Sequence, residues 1–186
     1  MPEIIVNSAK CVACGFCEIA CAVNRSSLSK TLVGAAQEEV RPQSRVRLTF
    51  QKEAEINLPV QCRHCEEAPC VDTCPAKALY RDESNAVFLD ETKCIGCWMC
   101  VAVCPFGAIS PSRVQNVAFK CDRCVGCLYP YCVNACPTGA LLYEEKEVAA
   151  KVCAPTEFVL DIIDGHACEL VRLDFKGDAP VEPVVK

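Results

Sequence analysis

The 186-residue sequence lacks the segments that direct a protein out of the cytoplasm or into a membrane. Near Met1 there is no basic stretch followed by a long apolar run, and there is no pair of adjacent arginines. No apolar run approaches the roughly 20 residues that a membrane-spanning helix needs. These absences predict a cytoplasmic protein without a direct membrane span, in which thiols stay reduced and disulfides are not expected.

Common ligand-binding and catalytic patterns are also missing. The formal net charge is −5 and no arginine-rich stripe is present, so nucleic-acid binding is not expected. The sequence has no G-x-G-x-x-G loop, no Walker loop and no C-x-x-C-H haem motif. No nucleophile, base and orienting residue stand out as a set, and the sequence therefore predicts no catalytic residues.

Cysteine, in contrast, is abundant, with 19 residues, and most of these cysteines fall into four groups with related spacing. The groups are Cys11, Cys14, Cys17 and Cys21; Cys62, Cys65, Cys70 and Cys74; Cys94, Cys97, Cys100 and Cys104; and Cys121, Cys124, Cys132 and Cys136. Proline follows the last cysteine of the second, third and fourth groups, whereas Ala22 follows Cys21. A lysine precedes three groups, at Lys10, Lys93 and Lys120. One short unit is therefore repeated four times.

The spacing within the groups favours iron–sulfur clusters over zinc. The third group matches the ferredoxin run C-x2-C-x2-C-x3-C-P, and the first has the same cysteine spacing. Such a loop wraps three thiolates around one face of a [4Fe–4S] cluster, and the fourth thiolate comes from elsewhere in the chain. The second and fourth groups alone resemble zinc knuckles, but the first and third are poor zinc layouts. The pattern predicts four [4Fe–4S] clusters.

Each repeat is expected to form a cysteine loop, a short helix that ends near the fourth cysteine, and a strand. The strand candidates are Glu3–Val6, Arg45–Phe50, Leu79–Arg81, Ala86–Leu89 and Val114–Phe119. The polar residues 82–85 separate two of these strands and predict a hairpin turn.

The order of the four groups resembles the four-cluster iron–sulfur subunits of the DMSO reductase, formate dehydrogenase and formate hydrogenlyase type. It also resembles the ferredoxin-like subunit that accompanies carbon monoxide dehydrogenase. The resemblance covers residues 3–143 and implies an α+β fold of two nested ferredoxin-like halves, with short helices and small β-hairpins. The outer half would comprise residues 1–24 and 106–143, and the inner half residues 62–105. Residues 25–61 would be an insertion, and residues 144–186 a C-terminal extension.

The resemblance also implies ligand sets that cross between groups. Cys11, Cys14 and Cys17 would take Cys136; Cys121, Cys124 and Cys132 would take Cys21; Cys62, Cys65 and Cys70 would take Cys104; and Cys94, Cys97 and Cys100 would take Cys74. Cys127 departs from the family pattern and is an alternative to Cys132 as third ligand of the fourth group. We favour Cys132, because its spacing before the closing cysteine equals that of Cys70. Cys153 and Cys168 are expected to be small buried apolar residues.

Other residues near the ligands have structural interpretations. His64 is expected to hydrogen-bond near a cluster or to face solvent, although a histidine can also replace a cysteine ligand. Trp98 is expected to pack over a cluster. Arg41, Arg45 and Arg47 are expected to form a solvated strand face, with a docking edge for an acidic partner as the alternative.

Complete cysteine ligation leaves no iron free for a substrate, so the expected function is a non-catalytic relay of single electrons. An enzyme with a substrate-binding cluster and a zinc-binding scaffold are the alternatives. The resemblance implies a catalytic redox partner in an anaerobic cell. Carbon monoxide dehydrogenase is favoured, and formate dehydrogenase, a hydrogenase or an aldehyde oxidoreductase are the other candidates.

Overall fold

Short elements alternate along the chain in the computed structural model, which describes residues 2–52 and 56–145. In order they are β1 (Pro2–Val6), α1 (Phe16–Asn24), α2 (Leu32–Gln37), β2 (Arg47–Gln51), β3 (Ile56–Val60), α3 (Pro69–Asp72), β4 (Leu79–Arg81), β5 (Val87–Leu89), α4 (Met99–Val103), β6 (Ile109–Pro111), β7 (Ala118–Lys120), α5 (Tyr131–Asn134) and β8 (Leu141–Glu145). A 3₁₀ turn covers Ser8–Lys10. None of the helices in the described part of the chain is long and apolar enough to cross a membrane.

The strands form two-stranded antiparallel sheets. Three of the sheets join strands that follow one another in the chain: β2 with β3, β4 with β5, and β6 with β7. The fourth sheet pairs β1 with β8, so that Val6 lies opposite Leu141. This last sheet brings the first cysteine group next to the end of the fourth.

Proline explains where the cysteine-bearing helices end. In the second, third and fourth groups the helix ends before the Cys-Pro pair, since proline has no N–H to continue the hydrogen-bond ladder. In the first group Ala22 stands in place of proline, and α1 continues three residues past Cys21 to Asn24. The absent proline therefore changes the path of the chain after the first group.

The Cys-x-x-Cys loops that open the four groups share one backbone feature. The residue before the second cysteine has a positive φ in each loop: 53° at Ala13, 50° at His64, 66° at Gly96 and 57° at Arg123. Residues other than glycine rarely adopt this left-handed conformation. The repeat in the sequence is thus also a repeat of backbone conformation.

The buried apolar residues form two clusters. The first draws on the second and third cysteine groups and contains Ala68, Cys70, Leu79, Val87, Cys100, Ile109 and Ala118. The second draws on the first and fourth groups and contains Cys17, Cys21, Val46, Cys132 and Leu141. Ile109 and Ala118 lie in the segment 106–143, which the resemblance assigns to the outer half, yet they pack in the first cluster.

The segment 25–61 packs against both parts of the molecule. The main-chain N–H of Leu48 donates to Glu18 Oε1 on α1 at 2.7 Å, and Val46 is buried in the second apolar cluster. The Gln43 side chain donates to Ser110 Oγ at 3.1 Å, next to the first cluster. Helix α2 and strand β3 in this segment were not among the elements expected from the sequence, whereas β8 is the strand expected after the fourth cysteine group.

The strands expected at Glu3–Val6, Arg45–Phe50, Leu79–Arg81 and Ala86–Leu89 are present with small changes in their limits. The strand expected at Val114–Phe119 is wrong over its first four residues, because β7 begins only at Ala118. The Ser112 hydroxyl accepts the main-chain N–H groups of Val114 and Gln115, and this local turn replaces an extended strand.

Candidate metal centres

Two cavities lie within the part of the molecule built from the second and third groups. One is lined by Cys94, Cys97 and Cys100 together with Cys74. The other is lined by Cys62, Cys65 and Cys70 together with Cys104. Each cavity therefore combines three thiols of one group with the closing thiol of the other. The space between the lining atoms, including what is open to solvent, is about 340 Å³ in both.

The first group and the end of the fourth group also meet. Burial raises the pKa of the Cys17 thiol to about 12, and the nearby Cys136 and Cys11 add to this rise. Cys14 is exposed. The thiols of Cys11, Cys17 and Cys136 are therefore close enough to interact electrostatically. The β1–β8 pairing holds the two chain segments side by side.

A second neighbourhood forms around Cys132. This thiol is 5% exposed, and burial raises its pKa well above the usual value, with further contributions from Cys121, Cys21 and Cys124. Cys127 is exposed, and its main-chain N–H donates to the carbonyl of Cys124 at 2.9 Å. Cys153 and Cys168 lie outside the described residues.

Main-chain N–H groups donate to the closing thiol of each group. In three groups the donor is the residue four positions later: Ala78 to Cys74 at 3.3 Å, Ala108 to Cys104 at 3.4 Å and Ala140 to Cys136 at 3.2 Å. In the first group α1 continues past Cys21, and the donor is instead the N–H of Arg45, at 3.2 Å. Such donors stabilise negative charge on sulfur and tune the potential of a bound cluster.

The thiols that come together at these sites suit an iron–sulfur cluster. A [4Fe–4S] cluster needs four thiolates that each reach a different iron, so they stand further apart than the ligands of one ion. In residues 2–52 and 56–145 no three His, Cys, Asp or Glu side chains come together as a single metal ion requires. Trp98 lines the cavity of Cys74 and the third group, as expected for an aromatic that shields a cluster.

An ion-pair network adjoins Cys21. Asp122 accepts from Arg25 at 2.5 Å and pairs with Arg45 at 2.6 Å. Burial alone would raise the pKa of Asp122, but the Arg25 hydrogen bond and the Arg45 charge outweigh it and hold this pKa at about 2. The Arg45 guanidinium also lies 4.7 Å from the centre of the Phe119 ring. The expectation of a solvated face was therefore wrong for Arg45, whose side chain is only 13% exposed.

His64 and Lys120 meet at the main chain of Val87, and both are 3% exposed. The Val87 N–H donates to His64 Nδ1 at 3.0 Å, and the Val87 carbonyl accepts from Lys120 Nζ. Lys120 Nζ also donates to the Cys121 carbonyl at 2.8 Å. Burial and the Lys120 charge lower the pKa of His64 to about 3, so its ring is neutral at pH 7.

Sequence reasoning missed two features of these sites. The lysine before each of three groups was visible as a pattern, but Lys93 is exposed and pairs with Asp90, whereas Lys120 is buried. The donor N–H of Arg45 carries no signal in the sequence, because any residue except proline has this group.

Two family models match the chain. The model of the 4Fe-4S dicluster domain matches residues 54–146, and that of the 4Fe-4S binding domain matches residues 8–24.

Three similar proteins can be named. The chain is 39% identical over 144 residues to the putative electron transport protein YsaA of Escherichia coli K12, covering 74% of this chain and 86% of that protein. It is 36% identical over 151 residues to the thiosulfate reductase electron transfer subunit PhsB of Salmonella typhi, covering 75% and 74%. It is 38% identical over 154 residues to an iron-sulfur protein of Rhodospirillum rubrum, covering 74% and 79%.

Proposed function

The chain belongs to the family of 4Fe–4S dicluster electron-transfer subunits, and we propose that it relays single electrons through four [4Fe–4S] clusters to or from a separate catalytic redox subunit. The observation that carries this proposal is the mixed composition of the two cavities, each lined by three thiols of one group and the closing thiol of the other. Each bound cluster would take up and release one electron.

We propose the crossed ligand sets for all four sites. The two cavities support the sets that close with Cys74 and Cys104. The neighbourhood of Cys17 and Cys136 supports the set of the first group, and that of Cys132 and Cys21 supports the set of the fourth. Cys132 is preferred to Cys127 because it is buried among the other thiols of its set.

The nested halves are part of the same proposal. The division of buried residues into two clusters supports the nested halves. The pairing of β1 with β8 also supports them, because it joins the first and last strands of the described chain. Because Ile109 and Ala118 pack with the second and third groups, we place the inner half at residues 62–120. The outer half is then 1–24 with 121–143, the insertion is 25–61, and 144–186 is the extension.

Thiols from different sites lie close enough to influence one another, and this supports a chain of clusters. Burial raises the pKa of Cys121 to about 12, and Cys62 of the second group adds to the rise. Burial raises the pKa of Cys70 to about 11, with a further contribution from Cys100 of the third group. Cys132 is influenced in the same way by Cys17 of the first group. These neighbours support the order first, fourth, second and third site.

The ends of this order are the sites from which electrons would enter and leave. Cys14 at the first site and Cys97 at the third are both exposed. Short steps between neighbouring sites favour electron tunnelling, and complete thiolate ligation leaves no iron open to a substrate. The same ligation argues against the alternative of an enzyme with a substrate-binding cluster.

For the partner, carbon monoxide dehydrogenase remains the favoured candidate, on the family resemblance of the cysteine groups. Formate dehydrogenase, a hydrogenase and an aldehyde oxidoreductase are the other candidates from that resemblance. The likeness to a subunit named for thiosulfate reductase adds reductases of sulfur oxyanions to the candidates.

The test has two parts. Metal analysis of anaerobically purified protein should give about sixteen iron atoms per chain, from four cubanes; about half that number, or stoichiometric zinc, would refute the four-cluster proposal. The oxidised protein is then mixed with each reduced candidate enzyme, and its visible absorbance is followed. Bleaching by carbon monoxide dehydrogenase is expected. Bleaching only by another candidate would change the partner and leave the relay in place.

A further inference from the structure

One ring nitrogen of His64 has a partner and the other has none. Nδ1 accepts the Val87 N–H, so the proton of the ring lies on Nε2. Nε2 is fully buried, and no atom of residues 2–52 and 56–145 accepts a hydrogen bond from it. Because buried donors are almost always satisfied, an orphaned N–H points to an acceptor other than residues 2–52 and 56–145, and a bound cofactor is such an acceptor.

The adjoining cavity supplies such an acceptor. His64 lines the cavity enclosed by Cys62, Cys65, Cys70 and Cys104. We infer that the Nε2–H of His64 donates a hydrogen bond to a sulfur atom of the cluster bound in this cavity. This inference rests on the proposed ligand set for that site.

Gln61, which directly precedes Cys62, has a second buried atom, Oε1, without a hydrogen-bond partner among the described residues. It is an acceptor, but no hydrogen bond joins it to His64. The cluster is favoured as the acceptor because His64 and Val87, whose N–H holds the ring at Nδ1, both line the cavity. The measurement below separates a bond to Gln61 from a bond to the cluster.

The corresponding positions of the other loops show what His64 adds. Ala13, Gly96 and Arg123 share its left-handed backbone. Ala13 and Gly96 have no side-chain donor, and the Arg123 guanidinium lies 3.6 Å from Glu3 in an ion pair. A hydrogen bond to cluster sulfur stabilises the more negative, reduced state, and it raises the reduction potential of the cluster that receives it. His64 would therefore make the cluster of the second group easier to reduce.

Two substitutions separate the two nitrogens. His64→Asn offers an acceptor near the position of Nδ1 and tolerates the left-handed backbone, but it has no donor where Nε2 lies. His64→Gln offers an amide N–H near the position of Nε2. In redox titrations of the fully loaded protein, one midpoint should fall in His64→Asn by about 59 mV, a tenfold change in the one-electron equilibrium. In His64→Gln the same midpoint should fall by much less, and the other midpoints should not change in either variant.

A spectroscopic measurement on the unaltered sequence makes the test independent of these variants. The chain has two histidines, His64 and His166. Protein labelled with ¹⁵N-histidine and reduced should show a ¹⁵N hyperfine coupling to a cluster in pulsed electron paramagnetic resonance. The coupling should persist in the matched control His166→Asn and in Gln61→Leu, and should vanish in His64→Asn.

The outcomes are distinct. Absence of the ¹⁵N coupling from fully loaded protein, or equal potential shifts in the Asn and Gln variants, would overturn the inference and leave the relay intact. Protein that binds far fewer than about sixteen irons would instead refute the four-cluster proposal. If His64→Asn fails to fold, the labelled unaltered protein and His166→Asn still decide the question.

Discussion

The main-chain N–H of Arg45 lies 3.2 Å from the Sγ atom of Cys21, in the position that a residue of the repeat itself occupies in the other three groups. The difference follows from Ala22. Without proline, α1 continues to Asn24, and the N–H of Arg25, four residues after Cys21, is used within the end of the helix. The segment 25–61 therefore supplies a donor to the closing thiol of the first group, besides packing against α1.

This relationship predicts a difference between two substitutions of Arg45. Arg45→Ala removes the guanidinium and keeps the N–H, whereas Arg45→Pro removes both. The cluster that includes Cys21 should have a lower potential in Arg45→Pro than in Arg45→Ala, by up to about 59 mV, because a donor to thiolate sulfur is lost. Redox titration of both variants measures the difference. Identical potentials in the two would mean that this N–H has no influence on the site.

Crossed ligation predicts how cluster losses combine. Cys74→Ala and Cys97→Ala should damage the same site, so the double variant should lose no more clusters than either single variant. Cys74→Ala with Cys65→Ala should damage two sites, about eight of about sixteen irons if both empty. Iron analysis and quantified spectra count the damaged sites. If Cys74→Ala instead combines with Cys65→Ala without further loss, the second group closes its own cluster.

The choice between Cys127 and Cys132 can be tested on intact protein. Exposed Cys127 should react with iodoacetamide without loss of iron, and Cys127→Ser should take up one alkyl group fewer. The comparison cancels any reaction of Cys153 and Cys168. Cys132→Ser should lose the cluster of the fourth group. Iron loss in Cys127→Ser together with full iron content in Cys132→Ser would reverse the assignment.

Asp122 is expected to contribute to stability through its two arginines. Asp122→Asn keeps an oxygen for the Cys124 N–H, but it leaves the Arg25 guanidinium without its counter-charge and Arg45 with only Glu91, 3.9 Å away. The expected cost is about 2 kcal/mol, between the values for exposed and fully buried ion pairs. Because unfolding of cluster proteins is irreversible, the measurement is the rate of bleaching in urea, which should rise at least tenfold. Lys93→Ala, which breaks the exposed pair with Asp90, is the control and should change the rate little.

Local sequence patterns were enough to predict the class of protein, the cofactor and the β4–β5 hairpin. Local rules define these features, since the loop spacing selects a cluster and the polar residues 82–85 select a turn. The family assignment and the [4Fe–4S] cofactor are supported by the comparisons. The crossed ligand sets remain proposals.

The features that the sequence did not predict depend on contacts between distant residues. Arg45 looked like part of a polar strand, because its partner Asp122 is 77 positions away and has no pattern that links the two. The pairing of β8 with β1 joins the two ends of the described chain, and no local pattern links these strands. Burial of Lys120 depends on Val87, which offers its carbonyl at the end of a different hairpin.

The final prediction concerns removal of the clusters. The helices that carry cysteines are four to nine residues long, and such helices are not stable alone in water. The sheets have two strands each, which is also marginal. Three of the five buried residues in the second apolar cluster are cysteines. Most of the folding free energy must therefore come from cluster binding.

Anaerobic treatment with ferricyanide and a chelator should accordingly remove both the visible absorbance and most of the far-ultraviolet circular dichroism, and iron with sulfide should restore them together. The loss should be easier in acid. The metal-free chain is expected to unfold, and its thiols, with an ordinary pKa of about 9.0, are then mostly protonated at pH 7. A metal-free chain that stayed folded would also hold Cys17 and Cys121 protonated, because burial raises the pKa of both thiols to about 12. The cluster-bound state holds them as thiolates, and it therefore binds fewer protons. Lower pH must then favour release of the clusters. The chelator concentration that removes half of them should therefore be lower at pH 6 than at pH 8. Retention of native circular dichroism without iron would show that the polypeptide folds on its own packing.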